Sequence, residues 1–227
     1  MARSLYAELL TTIAEENPSF QISTRHHLVY EIHEGSILSG FLLDLSGMEK
    51  GAFYLTAFAQ PLYVPHDYIS LTFGKRLPEK KRLGFEQTLR RKLTSENRVP
   101  LTEKVLKSIR SEGLSFLRRL NSVNKIAAVT EAKPGTAKNP FGWQDKDPNV
   151  TEVRAYSWAL LGDKTRATRD LLYLTESYVP EYDWGKELQH RGAKVLQAIE
   201  QGTENAQALL RDWARQSTAS LGLTPTS

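Results

Sequence analysis

Apolar residues in the first sixteen positions fall at helical spacing. Leu5, Leu9, Leu10 and Ile13 recur on one side of a 3.6-residue repeat, which predicts a helix over about 2–16. Asn17-Pro18-Ser19 stops it. The period then changes to two. His26–His33 alternates, with Leu28, Tyr30 and Ile32 on one face. Ile37–Leu45, Ala52–Gln60 and Tyr68–Phe73 are further apolar runs of strand length. The separators Glu34-Gly35 and Ser46–Gly51 are short and carry glycine, so successive strands must run antiparallel. Pro61–Asp67 is a longer connection stiffened by two prolines. The pattern predicts one helix followed by a four-stranded antiparallel sheet over about 26–74.

Helical spacing returns after Gly74. Phe85, Leu89 and Leu93 stand at i, i+4 and i+8, and Val105, Leu106, Ile109, Phe116, Leu117 and Leu120 form a second stripe. Both predict helices, over about 82–131 in all. Periodicity is lost across Lys133–Pro148, where Pro134, Gly135, Pro140, Gly142 and Pro148 predict a linker or long loop. Asp147-Pro148 then pairs a cap residue with proline at the first helical position. Val153, Tyr156 and Leu160 form that helix's apolar side; Gly162-Asp163 breaks it. Ala167, Leu171, Leu174 and Tyr178 predict its neighbour, ended by Val179-Pro180. Two more helices follow, one with Leu188, Val195, Leu196 and Ile199, the other with Ala206, Leu209, Leu210 and Trp213, separated at Gly202-Thr203. The expected class is α+β. A domain at 1–132 is joined through 133–148 to a helical-hairpin region at 149–217, and 218–227 reads as a polar, frayed tail.

Within the helical region, Ala155-Tyr156, Leu161-Gly162-Asp163, Ala167 five residues after the glycine, and Pro180 after the second helix stand in a recognisable order. On these residues, 153–180 resembles a tetratricopeptide-type helical hairpin, in which small residues let two antiparallel helices approach closely. Trp158 and a closing proline about one residue late depart from that pattern. Asp183–Gln216 has similar helix lengths without the motif. The resemblance implies helical hairpins and a protein-binding surface without catalysis.

Composition narrows the chemistry. The chain of 227 residues has no cysteine, which excludes disulfides, thiolate nucleophiles and Cys-based metal centres. Its longest apolar runs fall far short of a bilayer span, and Met1–Leu10 lacks the continuous apolar core of an export signal. A cytoplasmic protein without a membrane partner is expected. The formal net charge of +4 hides a segregation: residues 1–74 carry a net of −5, 75–110 a net of +8, and 111–227 a net of +1. The basic block includes Lys80, Lys81, Arg82, Arg90, Arg91 and Lys92, a candidate polyanion-binding patch or simply a solvated helix face. Phe85 is the only aromatic residue between Phe73 and Phe116, which disfavours base stacking along this block.

The sharpest polar cluster is Arg25, His26, His27, Glu31 and His33. On a strand His27, Glu31 and His33 share a face, where two imidazoles and a carboxylate could bind a metal or exchange protons. The same face is equally the solvent side of an outer strand, since its reverse is apolar, and one strand cannot wrap an ion. His66-Asp67 is a second suggestive pair, in a turn where aspartate has an ordinary structural use. His190 stands alone on a charged helix. Phosphate-loop, dinucleotide, nucleophile-elbow, zincin and EF-hand motifs are missing. Tyr156, Trp158, Tyr173, Tyr178, Tyr182 and Trp184 are dense, and Tyr182-Asp183-Trp184 lies in a short link that should expose a ring.

The sequence therefore predicts a protein–protein interaction module of inhibitor, immunity or adaptor type, without cofactor, contacting its partner through Tyr182 and Trp184. The alternatives are a nucleic-acid-associated protein using 75–110 and a hydrolase built on His27, Glu31 and His33.

Overall fold

The computed structural model describes residues 5–45, 52–82, 85–88, 90–143 and 146–224, with side-chain surroundings described outside 78–91. Helix α1 (Leu5–Glu15) buries Leu9, Leu10 and Ile13, the predicted stripe. Strands β1 (Gln21–Ser23), β2 (Leu28–His33), β3 (Ile37–Leu45) and β4 (Ala52–Pro61) follow, each antiparallel to the next. The far edge of the long β4 is shared: β5 (Phe73–Arg76) pairs with Thr56–Ala59, and β8 (Arg90–Lys92) pairs with Ala52–Tyr54. Between them β6 (Pro78–Arg82) and β7 (Phe85–Thr88) form a separate two-stranded ribbon.

Three sequence expectations change here. The final sheet run, expected at Tyr68–Phe73, pairs instead from Phe73 to Arg76, and 68–72 is loop. The helix expected from Phe85, Leu89 and Leu93 is replaced by β7 and β8. Three apolar residues are too few to separate a helix from short strands, and the unpaired edge of β4 at 52–54 supplies backbone partners that a helix would leave unused. The basic helical stretch therefore begins only at α2 (Arg98–Ser108), which continues through a π-helical turn (Ile109–Gly113) into α3 (Leu114–Arg118), and α4 (Val123–Glu131) follows. The predicted tail is also docked as far as Thr224. Leu221 and Leu223 are buried, Thr224 N donates to Tyr30 Oη at 3.0 Å, and a His26 ring nitrogen lies 2.8 Å from the Leu221 carbonyl.

The sheet is covered on both faces. Residues paired across strands share a face, so Val29, Phe41 and Ala57 form one row and Tyr30, Gly40 and Phe58 the next. The Phe41 face takes the Phe20 ring, and Phe53 on the same face takes Tyr6. Of the segment 133–148, predicted as linker or loop, 133–143 is a loop that packs: Phe141 and Trp143 stack at 4.5 Å and close over Phe73 edge-on. One continuous apolar core runs from Leu9 to Leu223 through sheet, loop and helices.

The helical region is two hairpins. Helix α5 (Pro148–Leu160) is capped by the Asp147 carboxylate, which accepts from Asn149 N at 2.9 Å. It ends with Asp163 N donating to Trp158 O at 2.9 Å and Gly162 N to Ala159 O at 3.1 Å. That double bond pattern needs a left-handed residue between the helices, and Gly162 has φ +80°. Asp163 then caps α6 (Lys164–Leu172) by accepting from Arg166 N, so the reversal is as short as the sequence predicts. Ala155 and Ala167 are fully buried in the seam. Helix α6 runs into a π-helical turn (Tyr173–Ser177). The long helices α7 (Asp183–Gln201) and α8 (Thr203–Ser220) meet at Gly202 alone, whose φ of +143° and ψ of +144° only glycine adopts readily. Among the described residues, no helix is long and apolar enough to cross a membrane.

Candidate functional site

One concavity lies where the loop after β4 meets α5, α7 and α8. Its first wall is the loop after β4. Gln60, 1% exposed, fixes that loop with both ends of its amide: Nε2 donates to Tyr68 O at 3.1 Å, and Oε1 accepts from Ser70 N at 3.0 Å. Tyr63 plunges into the helical region. Its hydroxyl lies 2.6 Å from Ser157 Oγ, which donates onward to Val153 O at 2.7 Å. Burial pushes the Tyr63 phenol far above its usual range, so it acts as a fixed donor. Two prolines and these anchors hold His66, Asp67 and Tyr68 at the surface, with the His66 and Tyr68 rings 5.0 Å apart.

The floor is an ion pair between α5 and α7. Arg191 grips Glu152 with Nε to Oε1 at 2.8 Å and Nη2 to Oε2 at 3.0 Å, and Tyr156 Oη donates to Oε1 at 2.9 Å. The Glu152 side chain is 2% exposed and that of Arg191 21%. Burial pushes the Glu152 carboxyl above its ordinary range, and the hydrogen bonds from Arg191 and Tyr156 pull it part of the way back. Tyr156 is raised well above an ordinary phenol by burial, then by the neighbouring carboxylate. Burial lowers the His66 imidazole; the Arg191 charge lowers it further, and Asp67 opposes both.

Between these walls opens a cleft of about 740 Å³ lined by Asp67, Tyr68, Trp184, Glu187, Arg191 and Ser217, among others. An adjoining recess of about 160 Å³ shares His66, Tyr68 and Asn149 and reaches Glu152. Tyr68 is 57% exposed, Trp184 45% and Tyr182 62%. The Tyr182 and Trp184 rings lie nearly parallel, 6.5 Å apart. Ser217 is 3% exposed, and its hydroxyl has no hydrogen-bond partner among the described residues.

The structure separates the predicted strand cluster. His27 has a φ of +53° in the turn before β2 and packs on the Tyr6 ring at 5.9 Å. That turn breaks the two-residue alternation which put it beside Glu31. Nor is that side of the strand a solvent face, since Val29 is fully buried. Glu31 and His33 do meet: His33 Nδ1 lies 3.7 Å from Glu31 Oε1, and its Nε2 is 2.8 Å from Ser39 Oγ. The order is that of a Ser–His–Glu relay. Ser39, however, is fully buried in mid-strand and does not line the neighbouring 820 Å³ groove of Glu31, His33 and Lys125. A nucleophile there would have no route to a substrate. Among the described residues, no group of three or more His, Asp or Glu side chains converges as a metal site.

Of the six predicted cations, Lys80, Lys81 and Arg82 stand on β6 and Arg90, Arg91 and Lys92 on β8. They belong to two different sheets rather than one helix face. His190 is exposed on α7. Tyr182 and Trp184 are exposed as expected, and His66-Asp67 proves to be part of the cleft. Sequence reasoning missed Glu152, Arg191 and Gln60. One signal was available: Glu152 and Tyr156 stand i, i+4 on a helix whose apolar residues surround them, where a carboxylate needs a partner. Comparisons with protein-family models, with curated proteins and with solved structures give no match.

Proposed function

We propose that this chain is a protein–protein interaction module that receives a partner segment in the cleft between the 61–68 loop and helices α5, α7 and α8. The observation that carries the reading is a pair of exposed aromatic rings, Tyr68 and Trp184, lining one concavity, with the exposed Tyr182 ring lying parallel to Trp184 beside it. Large rings left in water without a packing role are unfavourable unless another surface covers them, and such rings dominate interface energetics. The Glu152–Arg191–Tyr156 network suits a preorganised receptor, because it fixes α5 against α7 without needing the ligand. The helical hairpins agree with the tetratricopeptide-like resemblance of 153–180, which implies a binding role. A cytoplasmic setting belongs to the same proposal.

The test is site-specific photo-crosslinking in the native cell. A benzophenone amino acid replaces Tyr182, Trp184 or, as a control, Val99, which is 62% exposed on α2. The reading expects one discrete protein adduct from positions 182 and 184 and none from 99. It also expects the purified partner to rebind the unlabelled chain. Equal labelling at all three positions, or adducts only with nucleic acid, contradicts it.

A further inference from the structure

The cleft's charge says what kind of segment it accepts. Asp67 and Glu187 line it, and neither makes an ion pair among the described residues. Arg191 also lines the cleft, but its guanidinium is held by two bonds to Glu152, with Glu187 a weaker electrostatic neighbour, and burial with the Arg191 field holds His66 toward its neutral form. The link that carries the aromatic pair adds Glu181 and Asp183, of which Asp183 holds Lys186 at 2.9 Å on the outside. Residues 181–187 thus carry three carboxylates against one ammonium. The wall is therefore electronegative and aromatic together, in a chain whose total charge is positive.

We propose that the cleft recognises a lysine- or arginine-bearing segment of the partner, its cationic head lying against Trp184 between Asp67 and Glu187. This rests on the interaction-module reading above. A cation is attracted to the face of an indole ring by the ring's quadrupole, and a flanking carboxylate adds a charge-assisted hydrogen bond. Neither group would favour an acidic peptide, a phosphate or an anionic membrane. Ser217 stands in the same wall, 3% exposed and with its hydroxyl unpartnered among the described residues.

The experiment uses the full chain labelled with 5-fluorotryptophan, the Trp184 resonance being assigned from a Trp184→Phe sample. Capped tetra-lysine and tetra-arginine peptides should shift that resonance saturably, and tetra-glutamate should not. Asp67→Asn with Glu187→Gln, both at exposed carboxylates, should weaken the cationic peptides about five- to tenfold without lowering the melting temperature. Binding of tetra-glutamate, of a single-stranded oligonucleotide or of anionic vesicles at Trp184 overturns the proposal, as does no response to the cationic peptides. A dimer that the double variant dissolves assigns the cleft to a second copy and overturns it too. If the photo-crosslinked partner binds the double variant as tightly as the parent, the charge inference fails while the interaction reading stands. If no partner is captured at 182 or 184, the interaction reading itself fails.

Discussion

The Arg191 guanidinium holds the buried Glu152 carboxylate through two bonds, at 2.8 and 3.0 Å, and so ties α7 to α5 beneath the cleft. The two partners differ in their access to water, and a mutational cycle should show it. Arg191→Met leaves a carboxylate that is 2% exposed without its countercharge and should cost about 3 kcal/mol. For a chain of this size that lowers the melting temperature by roughly 6–12 °C. Glu152→Gln leaves a guanidinium that still reaches water and should cost less. The double variant Glu152→Leu/Arg191→Met should recover part of the loss, because no charge is then stranded. Strictly additive effects in thermal melts would show that the pair is not coupled.

His66 supplies a pH dependence with a definite sign. Its folded-state pKa lies below the ordinary 6.5, first because of burial and then because of Arg191. The unfolded chain therefore binds more protons than the native chain as pH falls below 6.5. Stability from this group is full above that value and is lost as pH drops toward the folded pKa. An NMR titration should place the His66 midpoint below 6.5, and His66→Gln should flatten the acid side of the stability curve measured in urea between pH 5 and pH 7. A midpoint at or above 6.5 refutes the burial assigned to this ring.

Much of the fold is legible along the chain because its signals are local. The α1 stripe, the alternation of β2, the Glu34-Gly35 turn and the Asp147-Pro148 helix start each need only neighbouring residues. Strand β8 was not legible because the edge of β4 it pairs with lies some 40 residues earlier, and β7 because it pairs with β6 in a ribbon of its own. The docking of Leu221 and Leu223 was hidden by their Ser- and Thr-rich surroundings. Tyr182 and Trp184 could be picked out because a short link leaves rings little room to hide. His66-Asp67 stood out as a pair, and Glu152 with Tyr156 left an i, i+4 signal, but neither showed where its residues would lie. Gln60, Asp67, Glu152, Arg191 and Ser217 come from widely separated segments, and no spacing in the sequence announces their meeting.

The α5–α6 reversal can be broken in two independent ways. Gly162 has room for a side chain, with its nearest neighbour atoms at 3.7 Å or more, so Gly162→Val meets little steric resistance from them. Its φ of +80° is the obstacle, and a β-branched residue there should cost about 1 kcal/mol or more. Ala167 is fully buried between the helices, and Ala167→Leu should cost roughly 1–3 kcal/mol by overpacking. The two should add within experimental error if the turn and the seam act separately. Unchanged melting temperatures for both would mean that the hairpin is not packed as described.

The central claim is that the exposed rings at the cleft serve a partner rather than the fold. Titration calorimetry of the crosslinked partner, once purified, against the parent chain and Trp184→Ala tests it most directly. Trp184 is 45% exposed, so the variant should melt within about 2 °C of the parent. Its affinity for the partner should fall at least about thirtyfold, the loss expected when an aromatic anchor of about 2 kcal/mol is removed. An affinity equal to the parent's, with the fold intact, would contradict the account.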